Sequence, residues 1–154
     1  MTNNTNGQAN TIKKTFSRQT AVGTEIKADA AIIWALLTNA SDYPRWNPTV
    51  ISIEGKIAAG EKIKLKSTLD PKRTFKLKVK EYVAEQKLIW GDAMGNRVYT
   101  LSDKGNGITL FSMTEKIGGP LFPLFAKMIP PFDKSFEQFT AGLKKEAESI
   151  MNAK

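Results

Sequence analysis

Between Lys62 and Lys80 the chain writes the same two-residue pattern twice. Ile63, Leu65 and Ser67 alternate with Lys62, Lys64 and Lys66, and Phe75, Leu77 and Val79 alternate with Lys76, Lys78 and Lys80. Successive side chains of a β-strand point to opposite faces. A strict period of two with lysine on one side therefore predicts antiparallel strands with one wet face and one buried face. Further strands are readable at Val50–Glu54, Lys87–Trp90, Arg97–Leu101 and Ile108–Ile117, with a hairpin turn in Asp103-Lys104-Gly105-Asn106-Gly107. Upstream, Phe16, Arg18, Thr20, Val22, Thr24 and Ile26 alternate with Ser17, Gln19, Ala21, Gly23 and Glu25, predicting a first strand with a mixed inner face. The sum is about seven strands.

The other segments follow helical rules. Asp29 is positioned to cap a short buried helix over Ala30–Thr38, which Asn39 can end. The connector Tyr43-Pro44-Arg45-Trp46-Asn47-Pro48 holds at most one helical turn, because each proline restricts the residue before it. Gly118-Gly119-Pro120 stops the last strand, Pro123 opens a short helix, and Pro130-Pro131 interrupts it. Beyond them Phe132, Phe136, Phe139, Leu143, Ala147 and Ile150 recur at steps of three or four, the apolar face of a long terminal helix. The segment from Leu121 to Ile129, bracketed by the glycines and the prolines, is expected to act as a gate.

With 154 residues the chain suits one domain with a substantial core. Residues 1–14 lack periodicity and are expected to form a mobile tail before a domain over residues 15–154. The longest apolar run, Ala30 to Leu37, falls far short of the roughly 20 residues needed to span a bilayer. The polar N-terminus has no export-signal pattern, so a cytoplasmic location is expected. There is no Cys and no His. Disulfides, thiolate nucleophiles, Cys-based metal sites and histidine general bases are thereby excluded. No stretch has the spacing of a calcium loop, and neither a metal nor a cofactor is expected.

The order strand, helix, strands, long broken helix comes with particular residues. They are Tyr43-Pro44-Arg45-Trp46-Asn47-Pro48 after a short helix, Leu88-Ile89-Trp90-Gly91, and Glu115-Lys116-Ile117-Gly118-Gly119-Pro120-Leu121. Together they resemble the START-like or SRPBCC superfamily, and within it the polyketide cyclase/dehydrase and lipid transport branch, over roughly residues 16 to 150. The resemblance implies an α+β helix-grip fold: a seven-stranded antiparallel sheet wrapped around a long C-terminal helix, with two short helices after the first strand and a deep apolar cavity between sheet and helix. Many members carry a histidine at the start of the penultimate strand, where this chain has Arg97.

In such a fold Trp46, Trp90, Tyr99, Phe111, Met113, Phe122, Phe125 and Met128, with Leu65 and Leu77, are expected to line the cavity, although any one of them could be ordinary core. Arg97 and Glu115 are candidate neighbours across the last hairpin. The bland reading puts them at the sheet rim in water; the alternative is an inward pair that orients a ligand's polar group. Glu115 with Tyr99 is the only pair that could support proton transfer. Asp92 reads as a turn residue. The lysine-striped face reads as a solvated surface in preference to a docking site for anionic lipid, and it lacks the interleaved aromatics that nucleic acid would need. The chain, whose formal charge is +8, is thus expected to hold a hydrophobic small molecule such as a lipid, an isoprenoid or a polyketide-like aromatic. A cyclase or dehydratase and a chaperone-activator-like interaction module are the rival readings.

Overall fold

The computed structural model describes residues 4–154; Met1 to Asn3, the first residues of the expected tail, lie outside them. The elements run β1 (Asn10–Lys13), β2 (Ser17–Ile26), α1 (Ala30–Thr38), a 3-10 turn at Ala40–Asp42, α2 (Tyr43–Trp46), β3 (Val50–Glu54), β4 (Lys62–Ser67), β5 (Phe75–Val83), β6 (Lys87–Gly91), β7 (Gly95–Gly105), β8 (Ile108–Gly118), α3 (Phe122–Phe125), a 3-10 turn at Ala126–Met128, and α4 (Asp133–Asn152). All strand pairs are antiparallel, in the order β1-β2-β8-β7-β6-β5-β4-β3. This is the α+β helix-grip architecture, with eight strands among the described residues where about seven were expected.

The additional strand comes from the region expected to be a tail. Residues Asn10–Lys13 pair with Arg18–Ala21 as an edge strand, and the Thr5 backbone N–H and hydroxyl both donate to the Gly23 carbonyl. The pairing is made by the backbone, which asks for no apolar period, so the polar sequence gave no sign of it. Phe16 also departs from expectation: it precedes β2, and its side chain is 58% exposed instead of facing inward. Asp29 occupies the N-cap position of α1 but makes no side-chain cap; its carbonyl accepts from the Ile32 and Ile33 amides.

The lysine alternation holds in β4 and in the first half of β5, where Ile63 pairs with Leu77 and Lys64 with Lys76. It fails after Val79. A bulge between Val79 and Glu81 inserts an extra residue, so that Tyr82, opposite Leu88, returns to the inner face. Lys80, at the bulge, donates to the Asp92 carbonyl and to the Asn96 side-chain oxygen.

α4 lies across the inner face of the sheet and buries Phe136, Phe139, Thr140, Leu143 and Ala147. Phe139 is the centre of an aromatic cluster. Its ring lies 5.7 Å from those of Trp46 and Tyr99 and 6.2 Å from Tyr43, while Trp90 contacts Tyr99 at 5.0 Å. Such edge and tilted contacts add to the burial of large apolar rings. The connector is tied in from both ends: the Tyr43 hydroxyl donates to the Leu37 carbonyl, and Asn47 accepts from the amide and hydroxyl of Thr49.

The helix approaches the connector closely at Gly142. A Cβ placed there would stand 2.6 Å from the Trp46 carbonyl oxygen and 3.2 Å from Pro48. Gly→Ala in a helix interior ordinarily stabilises by about 1 kcal/mol. At this site overpacking against backbone should cost roughly 1 to 3 kcal/mol, so Gly142→Ala is expected to lower the melting temperature. Thermal unfolding followed by circular dichroism checks the sign; a raised melting temperature would mean that α4 does not press on the connector as described.

Candidate functional site

The grip is filled at one end and open at the other. Tyr43, Trp46, Tyr99, Phe111 and Phe139 fill the half nearer the middle of α4 and are almost fully buried. Between the segment that leads into α4, from Met128 to Phe132, and the ends of β4–β8 remains a cavity of about 190 Å³. Leu65, Ser67, Phe75 and Leu77 form one wall, and Trp90 with Gly91 the back. Arg97, Glu115 and Ile117 form the second wall, and Met128, Ile129, Pro130 and Phe132 cover the front. By size this space resembles engineered apolar cavities of about 150 Å³ that take up benzene, and is smaller than the 300 Å³ or more of a typical drug-sized site.

Arg97 and Glu115 are directly opposed on β7 and β8. The Arg97 Nε donates to Glu115 Oε1 at 2.6 Å, and both side chains keep less than a fifth of their surface exposed. They face the cavity, not the sheet rim in water. The guanidinium lies 4.8 Å above the ring of Phe136 and 6.0 Å from that of Phe139. Burial works against the charge on Arg97, but the adjacent Glu115 carboxylate and the Tyr99 oxygen outweigh it and hold the guanidinium above the ordinary arginine value. It stays cationic.

Of the residues expected to line the cavity, Leu65, Leu77, Trp90, Arg97 and Met128 do so, and Glu115 with them. Trp46, Tyr99, Phe111 and Met113 lie instead in the packed core. Phe122 is buried outside the cavity wall, and Phe125 points outward, 40% exposed. Glu115 and Tyr99 therefore do not form a pair toward the cavity. Tyr99 is wholly buried, and although its hydroxyl lies beside Arg97 no well-formed hydrogen bond reaches it. Asp92 is the expected turn residue, its Oδ1 accepting from the Met94 and Gly95 amides.

Residues that the sequence reading passed over complete the site. Phe75 was legible in principle, since it shares the parity of Leu77. Ile129 closed the segment expected to act as a gate, and Pro130 was read only as a helix breaker. Arg18, from β2, fastens that segment: its two terminal nitrogens donate to the Ile129 carbonyl at 3.2 Å and the Pro130 carbonyl at 2.8 Å. The same guanidinium stacks 4.9 Å over Phe132, while burial lowers its basicity against the opposing charges of Asp133 and Glu115. Among the described residues no cluster of carboxylates could hold a metal ion, and no helix is long and apolar enough to cross a membrane.

A family model described as polyketide cyclase/dehydrase and lipid transport matches residues 17–148. The chain belongs to that family. No curated protein matches it by sequence. Solved structures share its fold at low identity. An aromatase/cyclase from a Streptomyces species superposes with a TM-score of 0.69 at 12% identity, covering 86% of this chain and 94% of that one. A START superfamily protein from Mycobacterium smegmatis gives 0.63 at 16% identity, covering 86% and 98%. A conserved protein of unknown function from Enterococcus faecalis gives 0.67 at 15% identity, covering 92% and 78%.

The buried tyrosines impose a pH dependence. Desolvation is the largest influence on both Tyr43 and Tyr99 and raises each above the ordinary tyrosine value of 10.0. The folded state then keeps protons that the unfolded chain releases above about pH 10. The stability is fully present below that pH and is lost as pH rises toward the raised folded values. Urea unfolding on either side of pH 10 should show this loss. Tyr99→Phe should reduce the slope while changing stability little at neutral pH, since the hydroxyl it removes has no good partner.

Proposed function

We propose that this member of the polyketide cyclase/dehydrase and lipid transport family binds and carries a compact hydrophobic molecule, about one or two rings in size, bearing a polar group. The observation that carries this reading is the walled 190 Å³ cavity with the Arg97–Glu115 pair on its side and Trp90 at its back. Apolar walls supply the driving force. Burying about 200 Å² of apolar ligand surface at roughly 25 cal/mol per Å² gives about 5 kcal/mol before association costs. Useful affinity then calls for a directional polar contact, and the Arg97 nitrogens not engaged by Glu115 are the donors placed to make it.

The reading is a carrier and not a cyclase or dehydratase because of how the candidate acid–base groups are set. Proton transfer needs a group within hydrogen-bond reach of the substrate. The Tyr99 hydroxyl is sealed in the core. Glu115 Oε1 already accepts a hydrogen bond from the Arg97 Nε at 2.6 Å, so that oxygen is engaged and not free to take a substrate proton. A lipid chain or a multi-ring polyketide would exceed the cavity unless the front wall moved, so the favoured ligand is smaller than either.

Two measurements test this. Trp90 should report binding of small aromatic probes such as naphthol or indole-sized molecules through its fluorescence, with competition among them. Leu77→Phe should fill the cavity without removing a hydrogen bond, and is expected to change stability by less than about 1.5 kcal/mol while weakening probe binding tenfold or more. Strong destabilisation by Leu77→Phe together with no fluorescence response to any apolar probe would falsify the ligand-pocket reading.

A further inference from the structure

We propose that the end of the molecule at which the cavity opens is a docking face for a bilayer surface containing anionic phospholipid. The proposal does not depend on the ligand proposed above. It rests on where the exposed apolar side chains fall.

The strand register fixes which loops share that end. Lys13 pairs with Arg18, Ser17 with Gly118, Gly95 with Ile117, and Val50 with Ser67. The β1–β2 turn, the loop from residue 68 to 74, the turn from residue 92 to 94 and the segment from residue 119 to 132 therefore lie together. Met94, Phe16, Leu121, Leu124, Phe125 and Met128 stand exposed on these loops, with Leu124 at 72% and Met128 at 78%. Among the described residues Val83 is the only comparable side chain at the opposite end, and Ile12 and Ile51 stand on the edge strands β1 and β3. Exposed apolar residues scattered singly need no explanation, but their concentration at one end of a chain with 41% hydrophobic residues does.

The charges there identify the occupant. Lys13, Lys14, Lys72, Arg73 and Lys127 are exposed on the same loops, against Asp70 and Asp92, and Asp92 is engaged by the amides of its own turn. Protein interface cores are depleted in lysine, and two copies set face to face here would oppose like charges. A headgroup layer accepts both kinds of side chain, apolar tips inserted below and ammonium groups against phosphate above. The lysine-striped face of β4 and β5 differs. It is a polar surface without such tips, able to add long-range attraction but not insertion.

The test uses the full chain and vesicles of phosphatidylcholine alone or mixed with phosphatidylglycerol, read by co-sedimentation. The protein is expected to partition onto the mixed vesicles, less so as salt rises. Leu124→Ser with Met128→Ser should weaken partition roughly tenfold or more with unchanged circular dichroism, because both side chains are exposed and support no core. Lys64→Glu with Lys76→Glu on the striped face should weaken it much less. The proposal is overturned if the wild-type chain ignores mixed vesicles, or if the striped-face variant loses as much as the apolar one. It is equally overturned if sedimentation velocity shows a dimer that Leu124→Ser with Met128→Ser dissolves. Leu77→Phe should leave vesicle binding intact, so a failure of the pocket and a failure of this face give different results.

Discussion

A guanidinium held between a carboxylate and an aromatic helix face sets the geometry on which the site depends. Arg97 and Glu115 meet across β7 and β8, and the cation rests over Phe136 near the start of α4. Each charge would be costly to leave alone in so enclosed a place, so neither residue can be lost without consequence for the other. Further along α4, where Phe139 meets Tyr43, Trp46 and Tyr99, the rings close the gap. The same helix is therefore tight in its middle and open at its start.

The architecture was legible because period-two and period-three-or-four patterns are local. The lysine alternation in β4 and β5, the apolar α4 face and the proline-bounded α3 each followed from residues close together in sequence. What escaped were features carried by the backbone or by one-residue shifts. The bulge after Val79 inverts parity without altering composition, and β1 pairs through its backbone amides, with Ile12 its one apolar side chain. The division between core and cavity was the least legible. Trp46 and Tyr99 are the same kinds of residue as Trp90 and Phe75, and only the spacing between α4 and the sheet decides which of them border a void. The inward position of Arg97 and Glu115 was likewise open, since strand parity places them on the inner face but not under a helix.

The molecule divides its surface chemistry by direction. The outward face of β4 and β5 is lysine with few apolar groups, which keeps exposed sheet surface soluble and resistant to aggregation. The loops at the cavity mouth combine large apolar side chains with bases. That arrangement exposes hydrophobic area in a way that is hard to account for in a chain whose loops served only as connections.

Arg18 bears on how the front wall can move. The carbonyls it holds, those of Ile129 and Pro130, each precede a proline, and Pro130 and Pro131 have no amide hydrogen with which to build a local turn. Pulling that stretch away would strand a guanidinium that is only 7% exposed. The anchored prolines therefore fix the end of the front wall nearest α4, while its other end leaves β8 through Gly119, whose φ of 144° suits only glycine. Residues 120–128 lie between these two points, so an opening that kept both would have to bend within that stretch and would leave α4 on the sheet.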